Sequence, residues 1–246
     1  MIRVLSLGNS FSQDAHAYLP KMAQDKSFRM EFVNLYIAGC NLQKHWELAS
    51  RGFNDYLLEE NGISTGRYVS FLEMLELHPW EVITLQQSSV FSGNPQSYLP
   101  YLDRLAELAR DARPYAQLYF HQTWAYETDS THHGFSRYNH NQGEMHRRIC
   151  DCSEMASKLL DAPVIPVGTI IHNLRTKVPA FDYQATGRSL CRDGFHLSLD
   201  YGRFAASATW FRVLTGELPL IDTFDNMDKA LLEVILQEID TYFSET

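Results

Sequence analysis

Ile2-Arg3-Val4-Leu5-Ser6-Leu7-Gly8-Asn9-Ser10-Phe11-Ser12 is the stretch that decides the fold. Residues 2–7 form a short, mostly apolar run of the kind that makes a strand buried on both faces. Gly8 then lets the chain turn tightly off the strand end. Ser10 falls near the start of the next helix, where the first backbone N–H groups have no helical partner. The run is too short to cross a membrane and does not have the form of a secretory leader. The chain as written is therefore expected in the cytoplasm, or in the periplasm or outside the cell if a leader has been removed.

Outward from this stretch the same alternation repeats. Further strands are expected at residues 32–37, 82–85, 117–121 and 164–167. Between them lie helical spacings: Leu99, Leu102, Leu105, Leu108 and Ala109 on one face, and Met145, Ile149, Cys152, Met155, Ala156 and Leu159 on another. Residues 204–213 and 231–239 supply two more helices. Strands alternating with helices predict an α/β protein with a parallel sheet covered on both faces. Residues 1–246 are expected to form one domain, with polar surface connections at 51–66 and 126–143. In such a sheet the ligand site lies at the carboxyl ends of the strands.

Composition excludes several classes. Charged residues are 21% and hydrophobic residues 45% of the 246, an ordinary globular mix. The net charge of −9 and the isolated Arg147-Arg148 pair argue against nucleic acid, which needs a basic stripe. Cys40, Cys150, Cys152 and Cys191 form no disulfide framework or C-x-x-C spacing. No glycine pattern marks a nucleotide site, so no cofactor is expected. His132, His133, His140 and His146 are spread through a polar segment and read as surface rather than as metal ligands. No feature fixes an oligomeric state.

Four strand-end segments carry candidate chemistry. Ser10, read alone, suits a helix N-cap as well as a nucleophile. Gly39, after the second strand, is an ordinary turn glycine or a place where backbone approaches a ligand. Gln86 and Gln87, after the third, are solvated amides or hydrogen-bond donors to a developing oxyanion. Asp193-Gly194-Phe195-His196 allows a carboxylate to meet imidazole Nδ1, leaving Nε2 free for a serine proton. Trp124, Tyr126 and His172 follow the fourth and fifth strands and are candidate pocket walls, with packed core as the alternative for Trp124.

At these residues the sequence resembles the SGNH (GDSL-like) hydrolase superfamily, and in particular a branch described mainly as a domain of unknown function. Gly8-Asn9-Ser10 is similar to its Gly-Asp-Ser block, Gly39 to its glycine block, and Asp193-x-x-His196 to its final block. The resemblance implies a flavodoxin-like three-layer α/β/α sandwich on a five-stranded parallel sheet. It implies Ser10 as nucleophile, His196 as general base and acid, and Asp193 as its orienter. The oxyanion hole would be the N–H groups of Ser10 and Gly39 with a third amide. The superfamily's usual asparagine for that third position is missing, so Gln87 is the candidate, with Gln86 in reserve. Asn9, Trp124, Tyr126 and His172 are the expected substrate contacts. The implied activity is hydrolysis of small acyl, chiefly acetyl, esters, with an acylated carbohydrate as the leading substrate. The alternatives are a lipid or thioester esterase, a non-catalytic binding module on the same fold, and a flavodoxin-like binder of a phosphorylated ligand.

Overall fold

The computed structural model describes residues 1–245. Its seven strands are β1 (Ile2–Gly8), β2 (Met30–Tyr36), β3 (Tyr56–Glu60), β4 (Ile63–Val69), β5 (Val82–Leu85), β6 (Gln117–His121) and β7 (Val164–Ile165). Its helices are α1 (Ser10–His16), α2 (Leu19–Asp25), α3 (Leu42–Ala49), α4 (Phe71–Leu77), α5 (Tyr101–Ala112), α6 (Gln142–Leu160), α7 (Val167–Lys177), α8 (Tyr201–Thr215) and α9 (Lys229–Glu245). They surround one sheet of order β4-β3-β2-β1-β5-β6-β7.

The five expected strands are all present and mutually parallel. The sheet nevertheless has seven strands, which corrects the expected five. The segment expected as a surface connection at 51–66 contains β3 and most of β4, a hairpin that extends the sheet antiparallel beyond β2. Asn61 and Gly62 join the two strands, both at positive φ (51° and 79°). That is the turn geometry that matches the twist of paired strands.

Strand alternation divides the core in two. Val4 and Phe32 face α1, α2, α7, α8 and α9, whereas Leu5, Leu7, Val33, Leu35, Ile83 and Leu85 face α3, α4 and α5. Helix α6 contributes to both, with Met145 and Ile149 on one side and Cys152, Ala156 and Leu160 on the other. Leu159, expected on the buried face, is exposed, as is Leu99 ahead of α5. Each fully buried Val, Leu or Phe contributes about 1.5–3 kcal/mol, so the two cores fix the strand ends firmly. The connection at 126–143 is not a surface elaboration: Tyr126, Phe135 and Tyr138 are fully buried. No helix among the described residues is long and apolar enough to cross a membrane.

Candidate active site

Gly8 owes its identity to close approach. A Cβ there would lie 2.0 Å from Ser12 Oγ and 2.7 Å from Asn34 Oδ1. The chain therefore passes straight from β1 into α1 with Ser10 at the first helical position. Asn9 caps that helix: its Oδ1 accepts the Phe11 N–H at 2.9 Å, and its Nδ2 donates to the Cys40 carbonyl at 3.1 Å. Asparagine supplies both an acceptor and a donor here, and an ionised aspartate could make only the first bond. Asn9 borders the cavity, and its bonds to Phe11 and Cys40 hold the two turns together.

The turn held by Asn9 carries Gly39, whose φ is +61°. A Cβ there would meet nothing within 4 Å, so the glycine is required by backbone angle and not by space. Ser10 and Gly39 both border the same cavity.

Near the other end of the chain, Asp193 Oδ1 accepts the N–H groups of Phe195 (3.2 Å) and His196 (2.7 Å), across Gly194 at φ +84°. This local turn brings His196 Nδ1 to 2.7 Å from Asp193 Oδ2, and His196 Nε2 to 2.9 Å from Ser10 Oγ. Burial pushes the Asp193 carboxyl upward, but the hydrogen bonds from the His196 ring and the two N–H groups outweigh it and hold the pKa below its ordinary value. An ionised Asp193 keeps the imidazole proton on Nδ1 and leaves Nε2 to accept from the serine. The three residues named from sequence thus stand in one hydrogen-bonded row.

The cavity in front of this row has a volume of about 290 Å³. Phe11, Tyr36, Gly39, His132, Phe195 and the run Ser88-Ser89-Val90 line it. His132, expected on the surface, lines the cavity beside Phe195. Its Nδ1 accepts the Gly134 N–H at 3.0 Å, and burial, then the neighbouring His133 and His196, lower its pKa. Accepting that bond, Nδ1 is the unprotonated nitrogen of the ring.

Gln87, the first candidate, has its amide fully engaged elsewhere. Gln87 Oε1 accepts the N–H groups of Leu42 and Ser88, and its Nε2 donates to the carbonyl and hydroxyl of Ser97. Its amide is consumed in tying the β5 end to the start of α3. Gln86 does not line the cavity; its Oε1 accepts from Ser12 Oγ (2.7 Å) and meets His121 Nδ1 (2.8 Å), while its buried Nε2 has no partner among the described residues. Ser88, which follows Gln87, borders the cavity, and its buried hydroxyl has no partner among the described residues.

The expected walls also move back one layer. Trp124 and Tyr126 are fully buried. Trp124 stacks on Phe11 at 4.1 Å and donates from Nε1 to the Phe195 carbonyl at 2.7 Å. Tyr126 shares a hydrogen bond with Ser89 Oγ at 2.8 Å. Both support cavity residues instead of meeting substrate. His172 lies farther off, because β7 ends at Ile165 and His172 is already in the second turn of α7. It stacks on His146 at 3.8 Å, outside the cavity. Among the described residues no three His, Cys, Asp or Glu side chains are grouped to hold a metal ion.

Sequence reasoning missed Tyr36, Ser88, Val90, His132 and Phe195 as cavity residues. Tyr36 ends β2 and Ser88 lies three residues beyond β5, positions where the strand-end rule gives a signal. His132 and Val90 lie on connections whose course no periodicity predicts.

The central sheet with helices on both faces has the fold of the SGNH hydrolases. A protein from Slackia heliotrinireducens assigned to the SGNH hydrolases shares it, with a TM-score of 0.58 at 19% identity over 87% of this chain and 98% of its own. A variant of an acetyl-xylooligosaccharide esterase from Geobacillus Stearmophilus gives 0.54 at 12% identity, over 89% and 97%. More specifically, residues 3–228 match the family described as "Domain of unknown function (DUF4886)", and the chain belongs to that family. A DUF4886 family protein from Bacteroides uniformis ATCC 8492 is 32% identical and superposes with a TM-score of 0.89 over 98% of this chain and 94% of its own. A search of curated proteins finds no match.

Proposed function

We propose that this protein is a serine esterase that hydrolyses small acyl esters, with acetyl esters of carbohydrates as the leading substrates. The observation that carries the proposal is the pair of hydrogen bonds from Ser10 Oγ to His196 Nε2 and from His196 Nδ1 to Asp193, at 2.9 and 2.7 Å. Ser10 Oγ attacks the ester carbonyl carbon as its proton passes to Nε2. The tetrahedral intermediate collapses, and the leaving alkoxide takes that proton. A water, deprotonated by the same Nε2, then attacks the acyl-enzyme, releasing the carboxylic acid and restoring Ser10.

The oxyanion formed in each half-reaction is met by the N–H groups of Ser10 and Gly39. The third donor is the unpartnered Ser88 hydroxyl, which takes the place expected of Gln87. Preorganised donors of this kind supply about 3 kcal/mol each to the transition state.

The cavity of about 290 Å³ is at the small end for ligand sites. That size suits an acetyl group with part of an alcohol and disfavours a long acyl chain. Its mixed lining, with Phe11 and Phe195 beside Tyr36 and His132, suits a polyol with apolar ring faces. The acetyl-xylooligosaccharide esterase with this fold supports the same substrate class.

The test is hydrolysis of p-nitrophenyl acetate and release of acetate from acetylated xylo-oligosaccharides by the wild type and Ser10→Ala. The expected result is activity on both substrates that Ser10→Ala lacks, falling as the acyl chain is lengthened. Equal rates for the two proteins would exclude the mechanism, and a preference for long acyl chains would exclude the substrate class.

A further inference from the structure

Asp14 lies one helical turn beyond Ser10 on α1, and it is fully buried. A carboxylate in such a place is costly unless it is paired and its lone pairs are filled. Both of its oxygens accept from Arg192 Nη1, at 2.9 and 3.0 Å. Oδ1 also accepts from Arg203 Nε at 2.8 Å, and Oδ2 accepts the Leu197 N–H at 2.9 Å.

Two of these three partners bracket the Asp193 to His196 turn. Arg192 immediately precedes Asp193, and Leu197 immediately follows His196. The ends of that turn are also bound to each other: the Arg192 N–H donates to the His196 carbonyl at 2.9 Å, and the Arg192 guanidinium donates to the Leu197 carbonyl. The third partner, Arg203, lies on α8 and serves a different junction. There α8 packs on α1, with Ser207 Oγ donating to the Ala15 carbonyl at 2.8 Å.

We infer that Asp14 is a positioning residue that sets the separation of His196 Nε2 from Ser10 Oγ. It anchors both ends of the histidine turn to the helix that carries the serine. It does not border the cavity and touches no reacting atom. The inference rests on the proposed roles of Ser10, His196 and Asp193. Its physical force is that a misplacement of about 1 Å between reacting groups costs on the order of 10²-fold in rate.

The two arginines separate positioning from stability. Arg192→Met removes the guanidinium that ties Asp14 to the front of the catalytic turn and leaves Asp14 bonded to the Leu197 N–H and to Arg203. Arg203→Met cuts the link to α8 but leaves the turn anchored. The expected result is a loss of kcat of about 10- to 100-fold in Arg192→Met, with KM within about twofold of wild type. Arg203→Met lowers the melting temperature and leaves kcat unchanged. Asp14→Asn keeps the size of the side chain but replaces one acceptor with a donor facing both guanidinium groups, and it combines the loss of kcat of Arg192→Met with the lower melting temperature of Arg203→Met. A readout independent of turnover is the downfield proton resonance of His196 Nδ1–H, present in wild type and broadened or lost in Arg192→Met.

Wild-type kcat with an unchanged resonance in Arg192→Met would overturn the inference, as would equal losses of kcat in the two arginine variants. Equal rates for wild type and Ser10→Ala would overturn the catalytic roles on which it rests, and the resonance still reports whether Arg192 holds the turn.

Discussion

The two walls of the cavity are built on different principles. One wall rests on side chains in series: Ser10 and His196 border the cavity and Asp193 stands behind His196, with the serine and the histidine 186 residues apart in sequence. The other is made by backbone and small groups: Gly39 at positive φ, and Ser88 at the β5 end. A series fails wherever it is cut, whereas parallel donors each carry a share. The effects of substitution should therefore be concentrated on the first wall and graded on the second.

The largest effect expected is on the first wall. Ser10→Ala should lower kcat by about 10⁴-fold or more, since removal of a nucleophile leaves only binding and oxyanion stabilisation. The measurement is steady-state hydrolysis of p-nitrophenyl acetate, and a loss of less than tenfold would remove the contrast between the walls. On the second wall, Ser88→Ala should lower kcat by about 10²-fold, the share of a single donor. Its stability should be unchanged, because the hydroxyl has no partner to lose. Gln87→Ala should show the opposite pattern. Its amide holds Leu42 and Ser97, so thermal melting should reveal a loss of stability while kcat changes less.

Acid sharpens the comparison because each wall is backed by a buried histidine. His16 ends α1, with its ring bonded to Ser6 Oγ at 3.0 Å. His45 lies behind the Gly39 turn, against Cys40 and Tyr56. Burial lowers the pKa of each from 6.5 to about 3. The folded protein keeps both rings neutral while the unfolded chain protonates them. Their contribution to stability is therefore complete above about pH 6.5 and is lost as the pH falls toward 3. At pH 5 each costs about 2 kcal/mol, and two such losses are a large part of a typical folding free energy. Melting temperatures between pH 7 and 5 should fall steeply, and a flat profile would contradict the burial of these rings. The smallest effect is expected for Gly39→Ala: about 1 kcal/mol of stability from the positive φ, with open space for the methyl group.

The sequence made the parallel strands legible because their residues are apolar on both faces, as in Val4, Leu5 and Leu7. The β3 and β4 hairpin escaped because its outer strand is exposed along nearly its whole length, and charged and polar residues hide its pattern. Asn61-Gly62 is the local signal that marks it. At the site, Ser10, Asp193 and His196 were legible because their geometry is set locally, by a strand-to-helix junction and a four-residue turn. Gln87 misled because an amide at the right place carries no sign of what else will claim it, and here Ser97 does. Asp14 was illegible for a related reason: its partners lie 178 to 189 residues away and meet it only when α8 docks on α1.

The most direct test of the central claim is covalent labelling of the native protein with a fluorophosphonate, read by peptide mass spectrometry. The account predicts a single adduct on the peptide containing Ser10, absent in Ser10→Ala and strongly slowed in His196→Ala. No adduct, or labelling that persists in Ser10→Ala, would contradict it.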